Sequence, residues 1–292
     1  MKNTGWLLIL CFLSFSCQRL DDFLYAPNEV GEYLLNDVVY EYQEFDDVSF
    51  LPSEESIHPL ILKSENAEGG QEDIYAYYIG DTNLISSNEV LVYCHGNSGN
   101  IDYYWQRAAL LTKIGVDVLI MDYQGYGKST GEPYEEGLYK DVDVCLQWLV
   151  DRGLSSERMI LYGFSMGSAP ATELSANPRS LSPKCLILEA PFASGDMLVN
   201  DATPLNLPGS YATNLEIDNS QEIKKVNEPF LWLHGEKDDF LSREYHGQVV
   251  YDNYQGDFKD FHLDPEAGHS NFPSSMGMEN YLKVVSEFVF RD

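Results

Sequence analysis

The sequence predicts an α/β domain: a mostly parallel sheet of about eight strands, with helices on both faces and a short cap insertion. Three observations carry that expectation. Short apolar runs alternate with stretches at helical spacing, as in βαβ units. One of those runs leads directly into Gly163-Phe164-Ser165-Met166-Gly167, a pattern that marks a sharp strand-to-helix turn. The 292 residues suffice for one large core, since α/β domains often run past ~200 residues undivided.

The chain opens on what reads as an export signal over residues 1–16. Lys2 supplies the positive start, Trp6 to Phe15 the apolar stretch, and Ser14-Phe15-Ser16-Cys17 the small-residue end. The apolar run is well short of the ~20 residues a helix needs to cross a bilayer. Its end resembles a bacterial lipoprotein signal, which would make Cys17 the lipidated first residue of an exported, envelope-anchored chain. An ordinary cleaved signal and a soluble exported product are the alternative. Residues 17–44 then form an acidic linker and packing segment. Between Asp21 and Glu55 stand eleven acids and no Lys or Arg, yet seven Phe and Tyr punctuate the stretch. That aromatic content argues against a plain disordered tether, so the chain is expected to pack onto the domain from about Pro27.

The domain itself, 45–292, reads in order. Ile57 to Lys63 and Ile74 to Ile79 are expected as antiparallel strands around the Glu68-Gly69-Gly70 turn. Val90 to Cys94 is a buried strand, with a helix from about Asp102 to Lys113. Val116 to Met121 is the next strand. Glu135 to Arg152 is a helix, with Leu138, Val142, Cys145, Leu146 and Leu149 at helical spacing. Met159 to Tyr162 runs into the turn at Ser165, and a helix is expected over Met166 to Asn177. Cys185 to Leu188, Pro229 to Leu233 and Phe258 to Leu263 complete the sheet, and Tyr281 to Phe290 closes the fold as a helix. Residues 191–226 contain no evident strand and hold Pro204, Pro208 and Gly209, the expected cap.

Chemistry concentrates in three places. A serine on a sharp turn after a strand projects its oxygen above the sheet, and the flanking glycines let backbone approach closely. Ser165 is therefore the candidate nucleophile. It needs a base and an orienting acid, which follow in the order Ser, Asp, His in such a topology. His269 stands on a loop between the last strand and the closing helix, and Asp238 just beyond a strand end. Spacing alone leaves Asp239 as a competitor. The glycine-rich His95-Gly96-Asn97-Ser98-Gly99-Asn100 follows the Val90 strand, so the backbone N–H groups of Asn97 and Met166 are the expected oxyanion donors. His95 and His234 read as structural, His58, His246 and His262 as core or surface residues, and Asp264 and Glu266 as loop acids.

Composition narrows the partners. A formal charge of −29 disfavours nucleic acid and anionic headgroups, leaving the lipid on Cys17 as the only expected membrane contact. The five cysteines include no C-x-x-C pair and no zinc-type Cys/His spacing, so no metal is expected. Cys94, Cys145 and Cys185 lie in apolar runs and read as buried small side chains.

The glycine-rich loop, Asp122-Tyr123-Gln124-Gly125-Tyr126-Gly127-Lys128-Ser129, the Ser165 turn, His234-Gly235-Glu236-Lys237-Asp238 and Gly268-His269 together resemble the α/β-hydrolase superfamily. The likeness is to its serine-aminopeptidase-like and Bem46-like branch, over roughly residues 45 to 290. It implies the α/β-hydrolase fold, a Ser–Asp–His triad with the acid at Asp238, and ester, thioester or amide hydrolysis without a cofactor. Gln124 stands where such proteins usually carry Arg. A small ester or thioester substrate is expected ahead of a peptide, because the cap is short for a peptidase. A serine aminopeptidase or amidase, and a non-catalytic surface binding protein on the same fold, are the alternatives.

Overall fold

In the computed structural model, which describes residues 25–37, 43–202 and 215–291, the apolar runs become eight strands of one sheet. The expected signal, Cys17 and the middle of the expected cap (203–214) lie outside the described residues. The strands are β1 (Ile57–Glu65), β2 (Gln71–Ile79), β3 (Val90–Cys94), β4 (Asp117–Met121), β5 (Met159–Phe164), β6 (Cys185–Glu189), β7 (Phe230–Gly235) and β8 (Lys259–Asp264). Their spatial order is β8-β7-β6-β5-β3-β4-β2-β1, with only β1–β2 and β2–β4 antiparallel. The remaining pairs are parallel and are joined by helical crossovers.

Strand β3 shows why these runs are strands. All five of its residues are buried, as a parallel strand covered on both faces requires. Alternation then divides them: Val90, Val92 and Cys94 join one core, Leu91 and Tyr93 the other. The first core is covered by α2 (Glu135–Val150) and α3 (Ser168–Ala176), the second by α1 (Ile101–Leu111) and the closing α8 (Met278–Val289). Between α3 and α8 lie the shorter α4 (Gly195–Ala202), α5 (Asn219–Glu222), α6 (Gly247–Asn253) and α7 (Phe272–Met276). The outermost β8 carries Lys259 and Asp260, charges that discourage pairing with another chain at a sheet edge.

Where boundaries differ from expectation, local chemistry accounts for it. α1 starts at Ile101 because the Asn100 side chain caps it, accepting the Asp102 N–H at 2.9 Å. α3 begins at Ser168 rather than Met166, because Ser165–Gly167 forms a tight 3-10 turn first. Pro170 is then its third residue, where a missing N–H breaks no helical bond. α8 starts three residues earlier than expected, directly after Gly277, whose φ of +83° separates it from α7. The acidic N-terminal segment packs onto the domain: Ala26–Pro27 runs parallel to Ser98–Gly99, and Phe45 and Phe50 enter the second core.

Candidate active site

The parallel strands all end at one edge of the sheet, and the chain reverses its direction of travel across the sheet around β3. Crevices beyond the carboxyl ends at such a reversal are where open α/β sheets bind ligands. Four loops converge there, following β3, β5, β7 and β8, and they carry Asn97, Ser165, Asp238 and His269 respectively.

Ser165 has φ +52°, a left-handed conformation that is rare for a residue with a side chain. Two close approaches hold it there. A Cβ at Gly163 would collide with the Gly167 carbonyl, and one at Gly167 with the Cys94 and His95 carbonyls. Both positions therefore require glycine, and the turn is wedged against the end of β3. Ser165 is 5% exposed, and its hydroxyl donates to His269 Nε2 at 2.9 Å. The other nitrogen of that ring, Nδ1–H, donates to Asp238 Oδ2 at 2.8 Å. The structure thus joins all three residues in one hydrogen-bonded chain across 104 and 31 positions of sequence.

Asp238 and its neighbour separate cleanly. The Asp238 side chain is fully buried, whereas Asp239 is exposed. Asp238 Oδ1 accepts the backbone N–H groups of Phe240 and Leu241 at 3.0 and 2.8 Å, which turns the carboxylate back toward the sheet. Burial alone would raise its pKa. Hydrogen bonds from His234 and His269, the His269 charge and the Leu241 N–H outweigh that, holding the carboxyl well below the usual range. Asp238 is therefore an acceptor throughout the neutral range. The loop presenting His269 is shaped by Asp264 Oδ1, which accepts the N–H groups of Glu266 and Ala267, and by Asn271 Oδ1, which accepts that of Gly268. Glu266 itself is exposed and pairs with Lys237.

The glycine-rich loop lies beside the serine turn because β3 and β5 are neighbours, with Cys94 opposite Gly163. Its first residues are fixed from below. His95 is fully buried, its Nδ1 hydrogen-bonded to the Gly96 carbonyl at 2.7 Å and its Nε2 3.1 Å from Asp122 Oδ1. Asp122 also accepts the Ile101 N–H at 2.9 Å and the Tyr33 hydroxyl at 2.6 Å, tying α1 and the N-terminal segment to the loop. Gln124 satisfies Asp141 through its backbone N–H and its amide, both at 2.8 Å; burial pushes the Asp141 carboxyl up to about 6.

Two contributors escape a reading of the sequence. Arg107 on α1 is 4% exposed and donates to the Ser270 carbonyl at 2.5 Å, beside His269. It also bonds Glu189 at 3.0 Å and Glu44 at 2.5 Å, and its guanidinium lies 4.6 Å over the Phe164 ring. The second is His234, whose Nε2 stands 3.3 Å from Asp238 Oδ2. Strand alternation puts Trp232 and His234 on one face of β7.

A mostly parallel sheet with its order reversing at β3, and a strained serine hydrogen-bonded to a histidine and a buried aspartate, define an α/β hydrolase of the serine-hydrolase type. Residues 86–220 match the family described as serine aminopeptidase, S33. Over 213 residues the chain is 34% identical to protein bem46 of Schizosaccharomyces pombe, covering 70% of this chain and 68% of that protein. It is 27% identical to human alpha/beta hydrolase domain-containing protein 17B over 69% of this chain and 66% of that one. The chain belongs to the bem46 family of the α/β-hydrolase superfamily. Among solved structures it resembles an esterase of Pyrococcus furiosus, with TM-score 0.67 at 17% identity over 92% of this chain and 98% of that one. The mouse alpha/beta hydrolase domain-containing protein 10 is also similar, with TM-score 0.56 at 17% identity over 79% and 98%.

Proposed function

We propose that this hydrolase cleaves a carboxylic ester or thioester through an acyl-enzyme, with Ser165 as nucleophile, His269 as base and Asp238 as its orienting acid. The observation that carries the reading is the unbroken chain from Ser165 Oγ through His269 to Asp238 Oδ2, at 2.9 and 2.8 Å. As Ser165 Oγ bonds to the substrate carbonyl carbon, its proton passes to His269 Nε2. Asp238 holds the ring with Nδ1 protonated, leaving Nε2 open for that proton, and then stabilises the imidazolium. The carbonyl oxygen takes up negative charge and is met by the N–H groups of Asn97 and Met166, which belong to adjacent loops of neighbouring strands. Collapse breaks the bond to the alcohol or thiol, which leaves with the proton from His269. Water, deprotonated by the same nitrogen, then attacks the acyl-serine and frees the acid and Ser165.

The test is hydrolysis of p-nitrophenyl acetate by wild type and Ser165→Ala, beside labelling by a fluorophosphonate probe. Loss of turnover by several orders of magnitude, with loss of labelling, is expected because triad members act as a unit. A Ser165→Ala protein with full activity would overturn the mechanism. A panel of p-nitrophenyl esters of rising chain length beside aminoacyl anilides decides the bond type, faster anilide cleavage favouring the aminopeptidase alternative.

A further inference from the structure

The acid of the triad has two histidines, not one. His234 is the penultimate residue of β7, four residues before Asp238, with its side chain fully buried. Trp232, two residues earlier and on the same face, points its indole Nε1–H at His234 Nδ1 from 3.1 Å. An indole nitrogen can only donate, so His234 Nδ1 accepts and the single ring proton sits on Nε2. That N–H faces two acceptors: the Leu241 carbonyl at 2.9 Å and Asp238 Oδ2 at 3.3 Å. Leu241 in turn donates its own N–H to Asp238 Oδ1. His234 therefore closes a ring of contacts around the turn that carries the acid, gripping both its far end and the oxygen used by His269. The Trp232–His234 pair is packed tightly: a Cβ at Gly247 would collide with both Trp232 Nε1 and His234 Nδ1.

We propose that His234, its proton placed by Trp232, is a positioning residue that fixes the Asp238 carboxylate for His269. This rests on the triad reading above. His234 makes no contact with substrate in this scheme and acts only through Asp238. The role is a matter of orientation, and misplacement of a catalytic group by ~1 Å costs up to about 100-fold in rate.

The experiment measures kcat and KM for p-nitrophenyl acetate in His234→Leu, His234→Gln, Asp238→Asn and the His234→Leu/Asp238→Asn double variant, with thermal melting to establish folding. His234→Leu is expected to lower kcat by about 10- to 100-fold with KM unchanged. His234→Gln, whose side-chain amide can donate to Leu241 and accept from Trp232, restores kcat to within a few-fold. In the Asp238→Asn background the Leu substitution adds nothing, because residues acting through one another are not additive. Wild-type kcat in His234→Leu, or an equal further loss in the Asp238→Asn background, would overturn the proposal. If His234→Leu does not fold, Trp232→Phe replaces it: a several-fold loss of kcat that vanishes in the Asp238→Asn background supports the role, and unchanged kcat overturns it. Should Asp238→Asn itself keep full activity, the triad reading fails and not this coupling alone.

Discussion

Arg107→Met offers a measurable test of how the site is supported. Arg107 and Glu189 are 4% and 1% exposed, and a 3.0 Å bond joins them. Methionine fills similar space but removes the cation, leaving Glu189, still held by the Tyr162 hydroxyl, and the largely buried Glu44 without their guanidinium. Removing one member of a buried pair typically costs about 3–5 kcal/mol. At roughly 2–4 °C per kcal/mol for domains of ~150–250 residues, the melting midpoint should fall on the order of 10 °C. The loss also depends on pH in a definite sense. Burial pushes the Glu189 carboxyl up, and the Arg107 charge pulls it back. Without Arg107 the folded protein binds that proton more tightly than the unfolded chain does. The variant's stability is then fullest below the unfolded carboxylate range and falls as pH rises through the elevated folded value. Urea denaturation followed by tryptophan fluorescence should therefore show a wider gap from wild type at pH 8 than at pH 5. Arg107→Met/Glu189→Gln should close most of it, since the more deeply buried of the two stranded charges is gone. A gap below about 1 kcal/mol, or one that Glu189→Gln leaves untouched, would refute the reasoning.

Asp238→Asn should lower kcat by about 10⁴-fold, because an amide facing His269 favours the tautomer that cannot accept the Ser165 proton. Asp239→Asn should leave kcat unchanged, and parallel assays on both variants separate the neighbours. Because the Asp238 carboxyl is held down, its charge and the stability it contributes persist above the unfolded value near ~4 and are lost only in stronger acid. At the N-terminus, metabolic labelling with a clickable fatty acid should mark the wild type and not Cys17→Ser; an unlabelled wild type would exclude the lipid anchor.

The legible parts of this sequence are those governed by local rules. Val90–Cys94 is a strand because five consecutive apolar residues can only be buried on both faces, and the structure returns those bounds unchanged. Gly163 and Gly167 announce the serine turn because close backbone approach leaves no alternative. Asp238 and Asp239 could not be separated by spacing, since the difference lies in two backbone N–H groups that turn one carboxylate inward. Arg107 left no trace because its partners Glu44, Glu189 and Ser270 stand 63, 82 and 163 positions away. A helical arginine facing a core looks the same in sequence as one facing water. His234 reads as structural from the sequence, and its contact with Asp238 depends on a turn whose path the sequence does not display.

The placement of the strands explains why the histidine needs more support than the serine. Ser165 and Asn97 leave adjacent strands, so the spacing of the two loops is set by the sheet itself. β8 lies three strands from β5, about 14 Å at ~4.8 Å per strand. The loop after Asp264 must therefore return across β7 and β6 before His269 can meet Ser165. Nothing in the sheet ladder fixes the end of that reach. Asp264 and Asn271 shape the loop internally, but neither ties it to the serine side of the sheet. Arg107 does, because α1 packs on the face of β3 and β4 and its guanidinium takes the Ser270 carbonyl while covering Phe164, the residue before Ser165. His269 and Ser165 are thus referenced to one buried cation, and the N-terminal acidic segment joins the same point through Glu44. Loss of Arg107 should consequently lower kcat beyond what its effect on stability accounts for, even at temperatures where the variant is fully folded.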